Sequence, residues 1–408
     1  MGFMQNQNKI RVIGIGPKGE TFYREYILSA DIIVGGKRLL NFFNFNKKQE
    51  TIILAKNLQA TLENLKSVKN KNIVILASGD PLFFGIGKRL VEIFGKDNLI
   101  FHPYLNSIQI LAAKIGIDYS NIIYTSFHGR NFNENRLLSF VKYNEKVGIL
   151  TDKNNNINKI VNSLKNSYLP TKDITVHIGQ MLGTTNENII SSTVDDYNWV
   201  PPTELDSIII VNKKIENFYH HSLAEKEIYH FEGLITKKEI RAISISYLNL
   251  SFDSIMWDIG GGSGSVSIEA SSLCYKGMVY IIEKELERVK LIEKNLKKFR
   301  CHNVKVISGN AEDVMKQLPI PNRVFIGGFS GNIENLLDYL KTIASKNIIV
   351  VLNIVLIEKL YSVIKWCQKN NIEFESCQVN VSNLNNIAEK FHYYKAQNPV
   401  NIIKLILE

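Results

Sequence analysis

A glycine-rich turn between an apolar strand and a helix constrains the fold of this chain most. Residues 256–265 read MWDIGGGSGS, so a strand that ends near Asp258 runs into a turn that contains four glycines. Glycine lets a ligand approach the backbone closely, and the N-terminus of the helix expected over residues 266–273 adds a positive dipole there. The segment therefore predicts a doubly wound α/β domain with a ligand at this turn.

Polar residues at the ends of the next two strands strengthen this prediction. Glu283 ends the next predicted strand, 23 residues after Gly260, where an acid can bind two ribose hydroxyls. Asn310 follows the third strand, and its carbonyl can accept a hydrogen bond from an adenine amino group. The third residue after Gly262 is Ser265, so the dinucleotide pattern G-x-G-x-x-G is not met. The pattern instead resembles motif I of class I methyltransferases, while an NAD-type or non-binding Rossmann-like domain stays open.

Strand and helix patterns alternate along both halves of the chain, which predicts an α/β protein with mostly parallel sheets. In the first half a break near residues 101–103 indicates two lobes. We predict strands there over residues 10–17, 32–34, 73–77, 147–152, 174–179 and 207–211. In the second half we predict strands over residues 254–259, 278–283, 304–308, 323–327 and 347–352, with a C-terminal pair over 373–382 and 400–407.

Helix signals and composition place the domain boundaries. Thr236 and Glu239 fit a capping box that opens a helix ending near Leu248, and a second helix is expected over residues 286–299. The polar segment between the halves contains His220-His221, which we interpret as part of a solvated linker. The predicted organisation is a first domain over residues 1–212, a linker over 213–226 and a second domain over 227–408.

The composition is that of a globular protein and argues against several classes. The four cysteines form no CxxC pair, so we expect reduced thiols, a cytoplasmic location and no metal site. No apolar run is long enough to span a bilayer, and residues 1–8 lack a signal-peptide pattern. The net charge of +10 favours an acidic partner, either nucleic acid or a small polycarboxylate. The absence of a strip of basic and aromatic residues argues against nucleic acid.

Four stretches of the second half form a set. They are TKKEIR at residues 236–241, WDIGGGSGSVSIEA at 257–270, VFIGG at 324–328 with Gly331-Asn332, and NPV at 398–400. As a set they resemble the C15-methylating, decarboxylating domain of cobalamin synthesis. The resemblance implies a Rossmann-like class I methyltransferase that binds S-adenosylmethionine. The cofactor-binding candidates of this domain are Thr236, Asp258, Gly260, Gly261, Gly262, Ser263, Gly264, Glu283, Asn310 and Ala311.

The first half contains a different set of motifs. They are GIGP at residues 14–17, VGGKRLL at 34–40, ASGDPLFFGIG at 77–87, SIQ at 107–109 and HGR at 128–130. These resemble the C5-methylating tetrapyrrole methylases, which implies a two-lobed fold with a second S-adenosylmethionine bound between the lobes. Asp80 is either a turn residue or part of that site. The cofactor-binding candidates here are Gly14, Gly16, Pro17, Gly79, Asp80 and Pro81.

The resemblance implies a precorrin-type tetrapyrrole as substrate, methylated at C5 and C15 with loss of carbon dioxide from the C12 acetate. Whether the ring contains cobalt stays open. Lys237 and Arg241 either meet substrate carboxylates or form a solvated helix face. His128 is either a proton carrier or a structural histidine. The remaining candidates for substrate binding are Gly328, Ser330, Asn332 and Asn353.

Departures from the family pattern and two rival functions complete the sequence-based hypotheses. Tyr104 stands where the family has glycine, Gln180 where glutamate is common, Leu356 where threonine is usual and Asn383 where arginine is usual. Tyr104 would be strained if that position needs a positive φ.

The rival functions are a class I RNA or protein methyltransferase and a non-catalytic tetrapyrrole-binding scaffold. We expect a homo-oligomer that contacts neither nucleic acid nor membrane.

Overall fold

The chain folds into two compact units. The computed structural model describes residues 9–54, 58–68, 70–203, 206–216, 223–231, 233–345, 347–388 and 391–408. The first unit is assigned Met1–Phe132, Asn144–Asn166 and Pro170–Lys214, and the second is assigned Asn133–Tyr143, Ser167–Leu169 and Ile215–Glu408. The predicted His220-His221 segment lies outside the described residues.

The first sheet of the first unit is parallel throughout, with strand order β3-β2-β4-β1-β5. Alternate residues of β4 enter two different cores, because Ile73 and Ile75 pack on one face and Val74 and Leu76 on the other. Such two-sided burial requires the continuous apolar runs that the sequence shows. The elements are β1 (Ile10–Ile15), α1 (Arg24–Ser29), β2 (Ile32–Gly35), α2 (Lys37–Leu40), β3 (Glu50–Ile53), α3 (Leu58–Lys66), β4 (Ile73–Ser78), α4 (Gly87–Phe94) and β5 (Leu99–His102).

The second sheet of the first unit is mixed, with strand order β6-β7-β10-β8-β9. Only β6 and β7 are parallel; the other neighbours are antiparallel. The expectation of mostly parallel sheets is therefore wrong here, because the short connection between β8 and β9 permits a hairpin but no crossover. The elements are α5 (Ser107–Ile115), β6 (Ile123–Ser126), β7 (Lys146–Leu150), α7 (Ile157–Lys165), β8 (Ile174–Gln180), β9 (Asn188–Thr193) and β10 (Asp206–Asn212); α6 (Glu134–Tyr143) groups with the second unit.

The second unit contains a seven-stranded sheet of order β13-β12-β11-β14-β15-β19-β16. Its first five strands are parallel, and β19 runs antiparallel between β15 and β16. The strand order reverses beside β11, which places a crevice at the carboxyl ends of β11 and β14. The strands are β11 (Ile255–Ile259), β12 (Met278–Glu283), β13 (Val304–Ser308), β14 (Arg323–Ile326), β15 (Ile348–Ile354), β16 (Phe374–Val379) and β19 (Val400–Leu407).

Helices cover both faces of this sheet, and residues from the two faces form separate cores around Met256 and Trp257. The two-stranded sheet β17 (Ser382–Ala388) and β18 (Phe391–Ala396) was not predicted. The helices are α8 (Lys238–Leu248), α9 (Ser265–Leu273), α10 (Leu286–Lys298), α11 (Ala311–Val314), α12 (Ile333–Ile343) and α13 (Ile357–Asn370). None of the helices in the described part of the chain meets the length and apolar character needed to cross a bilayer.

The start of α8 differs from the prediction. The residue at the N-cap is Lys237, and its side chain makes no capping hydrogen bond. The predicted capping box from Thr236 is therefore wrong. The backbone carbonyl of Thr236 instead accepts a hydrogen bond from Nη1 of Arg241 at 2.8 Å. Thr236 therefore binds the buried guanidinium of Arg241 and does not cap the helix.

Candidate functional sites

The glycine turn after β11 has the backbone that its sequence predicts. Gly260, Gly262 and Gly264 have φ values of +77°, +57° and +75°, a region that side chains other than glycine rarely adopt. A Cβ atom on Gly260 would lie 2.8 Å from the carbonyl carbon of Gly328 in the loop after β14. The two loops therefore approach each other closely, and only glycine fits at position 260.

Glu283 holds this turn from the neighbouring strand. Its Oε2 atom accepts a hydrogen bond from the backbone N–H of Gly262 at 3.0 Å. Its Oε1 atom accepts hydrogen bonds from the N–H groups of Lys284 at 2.9 Å and Glu285 at 3.1 Å. A carboxylate has about four lone-pair positions. Glu283 therefore retains the capacity to accept a further hydrogen bond from a ligand.

A cavity of about 560 Å³ opens at this edge of the sheet. Six of the predicted site residues line it, namely Gly260, Glu283, Asn310, Ala311, Gly328 and Ser330. Its other lining residues are Ile259, Ile282, Lys284, Glu285, Arg288, Gly309, Glu312, Asp313, Phe329 and Gly331. Four of the lining residues are acidic and two are basic, and Nζ of Lys284 donates a hydrogen bond to Oγ of Ser330 at 3.1 Å.

Asp258 and Ser263 are buried and do not line this cavity. The carboxylate of Asp258 is buried and accepts a hydrogen bond from Oγ of Ser267 at 2.5 Å. Burial raises the pKa of Asp258 to about 6, although the bond from Ser267 lowers it. Ser263 has a buried Oγ atom with no hydrogen-bond partner among the described residues. Gly261, Gly262 and Gly264 shape the turn and are likewise not lining residues.

The structure contradicts the substrate role predicted for Arg241. Its side chain is fully buried, and its Nε atom pairs with Oε1 of Glu269 at 2.8 Å. Its Nη atoms donate to the carbonyls of Thr236 and Leu223. Every arm of the guanidinium is therefore occupied inside the fold. Lys237 pairs with Glu225 at 2.7 Å, so its ammonium also has a carboxylate partner within the protein.

Two predicted asparagines have structural partners. Asn332 caps α12, because its Oδ1 atom accepts hydrogen bonds from the N–H groups of Glu334 and Asn335. Asn332, predicted to bind substrate, therefore has a structural role at the start of this helix. Asn353 lies near the carboxyl end of β15, where its Oδ1 atom accepts a hydrogen bond from Oγ of Ser244 at 2.9 Å. Its buried Nδ2 atom has no partner among the described residues.

The carboxyl end of β1 packs against two loops of the first unit. A Cβ atom on Gly14 would lie 2.1 Å from the carbonyl oxygen of Gly79 and 2.5 Å from the backbone nitrogen of Tyr104. Gly79 has a φ of +63° and accepts a hydrogen bond from the N–H of Tyr104 at 3.2 Å. Gly14, near the end of β1, is therefore required for close packing of this strand end against the two loops.

A cavity of about 390 Å³ lies beside these loops. Pro17, Gly79 and Asp80 line it, whereas Gly14, Gly16 and Pro81 do not. Asp80 also makes the turn that was the alternative interpretation, because its Oδ1 atom accepts a hydrogen bond from the N–H of Leu82 at 2.8 Å. The other lining residues are Ile15, Arg38, Ser78, Phe83, Phe84, Gly85, Leu105, Asn106, Ser107, Ile110, His128, Leu150, Thr151, Leu182, Asp206 and Ser207.

The structure gives the local surroundings of three departures from the family pattern, and nothing in it explains Asn383 in β17. Tyr104 does not have a positive φ, so the strain considered for it is absent. Asn106 forms a capping box with Gln109 at the start of α5. Gln180 is buried and donates from Nε2 to the carbonyl of Pro201 at 2.9 Å. Leu356 occupies the N-cap of α13 without a side-chain hydrogen bond, a position where threonine would cap the helix.

Several cavity residues were missed by sequence reasoning. Lys284 lies in the connection between β12 and α10, and Arg288 lies in the first turn of α10, so both could have been found from their closeness in sequence to the acidic strand end. Thr151 and Asp206 in the first unit carry no local signal, because strand pairing and loop packing bring them to the cavity. Among the described residues no group of His, Cys, Asp and Glu could hold a metal ion, and all four cysteines are free thiols.

Comparisons with known proteins agree with the two motif sets. Residues 10–198 match the family model for tetrapyrrole (corrin/porphyrin) methylases, and residues 227–406 match the model for a precorrin methyltransferase domain. The precorrin-6Y C(5,15)-methyltransferase (decarboxylating) of a Sinorhizobium species is 26% identical over 82% of each chain.

Two shorter relatives are more similar in sequence. The probable cobalt-precorrin-6B C(15)-methyltransferase (decarboxylating) of Methanocaldococcus jannaschii is 35% identical over 46% of this chain and 98% of its own. The cobalt-precorrin-7 C(5)-methyltransferase of Salmonella typhimurium is 33% identical over 50% of this chain and 100% of its own. This chain therefore belongs to the precorrin methyltransferases and is an S-adenosylmethionine-dependent enzyme of that family.

Proposed function

We propose that the chain methylates a precorrin-type tetrapyrrole at C5 and C15 and removes the C12 acetate carboxyl as carbon dioxide. The observation that carries this proposal is one cavity in each unit, each lined by residues from the motifs of a different methylase type. In this proposal the first unit is the C5 methylase and the second unit is the C15 methylase and decarboxylase. Each unit binds one S-adenosylmethionine, which supplies an activated methyl group.

The residues of the second cavity fit this cofactor. Glu283 keeps a carboxylate lone pair that can accept a further hydrogen bond from a ribose hydroxyl. The amide oxygen of Asn310 can accept one from an adenine amino group, and the exposed side chain of Asn310 lines the cavity. The orphaned Oγ of Ser263 lies in the glycine turn, immediately before the N-terminus of α9, where a carboxylate is favoured.

The residues of the first cavity fit a second cofactor molecule. Asp80 and Gly79 lie on one wall, and Ser207 donates to Oγ of Ser107 at 2.7 Å on another. The lining is more apolar than in the second unit, with Phe83 and Leu182 among its members. Such a wall excludes water from the reacting carbon, which strengthens the polar interactions that remain.

The proposed reactions need little general acid–base catalysis by side chains. The electron-rich ring carbon is the nucleophile, so the protein mainly positions the ring and excludes water. In decarboxylation the conjugated ring accepts the electron pair that the lost carboxyl leaves behind, and no protein nucleophile is required. Lys284 and Arg288 replace Arg241 as the cations we assign to the substrate carboxylates, because both line the second cavity.

Mass spectrometry of the products tests the proposal. The full-length protein is incubated with a purified precorrin-6-type tetrapyrrole and S-adenosylmethionine, with cobalt-free and cobalt-containing rings in parallel. We expect two methyl additions and one loss of carbon dioxide. Comparison of the two rings shows whether the enzyme prefers a substrate with or without cobalt. Methylation of RNA or protein in place of the ring would contradict the proposal, as would binding of the ring without reaction. Light scattering on the same protein tests the predicted homo-oligomer.

A further inference from the structure

A histidine on the wall of the first cavity is held in one tautomer by the fold. His128 lines the cavity, and its Nδ1 atom lies 3.0 Å from the carbonyl oxygen of Thr151. A carbonyl oxygen can only accept a hydrogen bond, so Nδ1 carries the proton. The other ring nitrogen, Nε2, is then the unprotonated atom of the neutral ring, and it has no hydrogen-bond partner among the described residues.

The loop that carries His128 is fixed by side chains from a neighbouring loop. Asn155 donates from Nδ2 to the carbonyls of Phe127 and Arg130, each at 2.9 Å. Oδ2 of Asp152 accepts a hydrogen bond from the N–H of Gly129 at 2.7 Å. The backbone on both sides of His128 is therefore tied down, and the ring is oriented by a separate bond.

The carboxylate that fixes the loop of His128 is ionised. Partial burial raises the pKa of Asp152, but hydrogen bonds from the N–H groups of Asn155, Gly129 and Asn154 lower it more. The net pKa of Asp152 is below its ordinary value, so the carboxylate is ionised at neutral pH.

We propose that Nε2 of His128 accepts the proton that leaves the substrate carbon during methylation in the first unit. This inference rests on the proposed C5 reaction. Replacing hydrogen by methyl on a ring carbon releases one proton, while the electron pair of the broken C–H bond stays in the conjugated ring. His128 takes that proton on Nε2, keeps its Nδ1–H bond to Thr151, and passes the proton to water, since its side chain is exposed at the cavity.

The kinetic test uses His128→Asn, which removes the proton acceptor, and measures C5 methylation with ¹³C-methyl-labelled S-adenosylmethionine by NMR. We expect the C5 rate to fall about 100-fold or more, within the range of general-base catalysis, with unchanged thermal stability and cofactor affinity. The matched control is His177→Asn, because His177 lies in the same unit, binds Ser191 through Nδ1 at 2.8 Å and does not line the cavity. A full C5 rate in H128N overturns the proposal.

Two further measurements separate proton transfer from a structural role. Free imidazole is expected to restore C5 methylation to His128→Ala, and a slow variant without rescue overturns the proposal. ¹⁵N NMR of histidine-labelled protein, with the His128 signal identified by its loss in H128N, is expected to show Nδ1 protonated and Nε2 unprotonated. The opposite tautomer overturns the proposal without reference to activity. If the wild-type protein places no label at C5, the proposed function of the first unit fails instead.

Discussion

Glu283 has two roles at the scale of a single residue, because its carboxylate holds the glycine turn and faces the proposed cofactor. We predict that Glu283→Gln weakens S-adenosylmethionine binding in the second unit roughly 10- to 100-fold, since a hydrogen bond to a charged group contributes about 1.5–3 kcal/mol. One carboxylate oxygen becomes an NH₂ group that cannot accept from the turn or from a hydroxyl. Isothermal titration calorimetry measures the change in affinity.

The matched control for this prediction is Glu285→Gln. Glu285 lines the same cavity and has the same charge, but its side chain is exposed. Loss of general negative potential would weaken binding equally in both variants. A specific role for Glu283 requires that the Glu285 variant bind nearly as well as the wild type.

Asp258 makes stability depend on pH. Its pKa is 3.8 without the fold and about 6 in the folded protein, because burial disfavours the charged form. The folded state therefore holds the proton more tightly, and the free energy of unfolding falls as pH rises from about 4 to about 6. Above that window the loss is complete, on the order of 3 kcal/mol for a shift of about two pKa units.

We predict that Asp258→Asn removes this pH dependence. The asparagine oxygen can still accept the hydrogen bond from Ser267, but it does not titrate. The stability of the variant relative to the wild type should rise between pH 4 and pH 8. Hydrogen exchange of β11 amides in both proteins at each pH measures the difference, and a constant difference over this range would show that Asp258 does not titrate there.

The site residues that could be predicted from sequence are those fixed by local backbone. The glycine turn and Glu283 follow from a strand end, a required φ and a fixed position on the neighbouring strand. The burial of Arg241 could not be predicted, because the local sequence of a helix does not show whether an acidic residue from another element will pair with its guanidinium. Glu269 is the partner, and it lies 28 residues further along the chain.

At the scale of elements, the Arg241–Glu269 pair joins α8 to α9. We predict that Arg241→Met destabilises the protein by about 3–5 kcal/mol, because it leaves a buried carboxylate without its cation. The double variant Arg241→Met with Glu269→Leu should recover most of that loss. Thermal unfolding of the three proteins checks both statements.

Substrate affinity distinguishes this account from the original hypothesis for Arg241. If the arginine bound a substrate carboxylate, the double variant would be stable yet bind the tetrapyrrole weakly. We expect the double variant to bind it as the wild type does. The matched comparison is Arg288→Met, whose cation lines the cavity and whose loss should weaken binding.

Most strands of the seven-stranded sheet could be predicted because their apolar runs are long and regular. The predicted strands over residues 278–283 and 304–308 coincide with β12 and β13. The hairpin β17–β18 escaped prediction because β18 is exposed along its whole length and shows no alternation of buried and exposed residues. Alternation of apolar and polar residues marks a strand with one buried face, so a strand that is exposed on both faces is hard to predict from sequence.

At the scale of the whole molecule, the compact units do not follow the order of the sequence. Helix α6 precedes most of the second sheet of the first unit in the chain, yet it groups with the second unit. There the buried ammonium of Lys142 donates to the carbonyls of Phe299 at 2.7 Å and Arg300 at 2.8 Å. Contacts between residues about 160 positions apart leave no pattern in the local sequence. The boundary predicted at residue 212 therefore rested only on a change in composition.

Two cofactor sites in one chain make a stoichiometric prediction. We expect calorimetry to give two equivalents of S-adenosylmethionine per chain.

Ser330 and Leu105 are exposed residues that line the second and first cavities, so a large side chain at either position fills one cavity with little effect on the core. Ser330→Trp and Leu105→Trp should each leave one equivalent, and the double variant should leave none. Ile320→Trp is the control, since Ile320 is exposed and lines neither cavity. One equivalent in the wild type, abolished by only one of the two substitutions, would mean that the other unit does not use the cofactor.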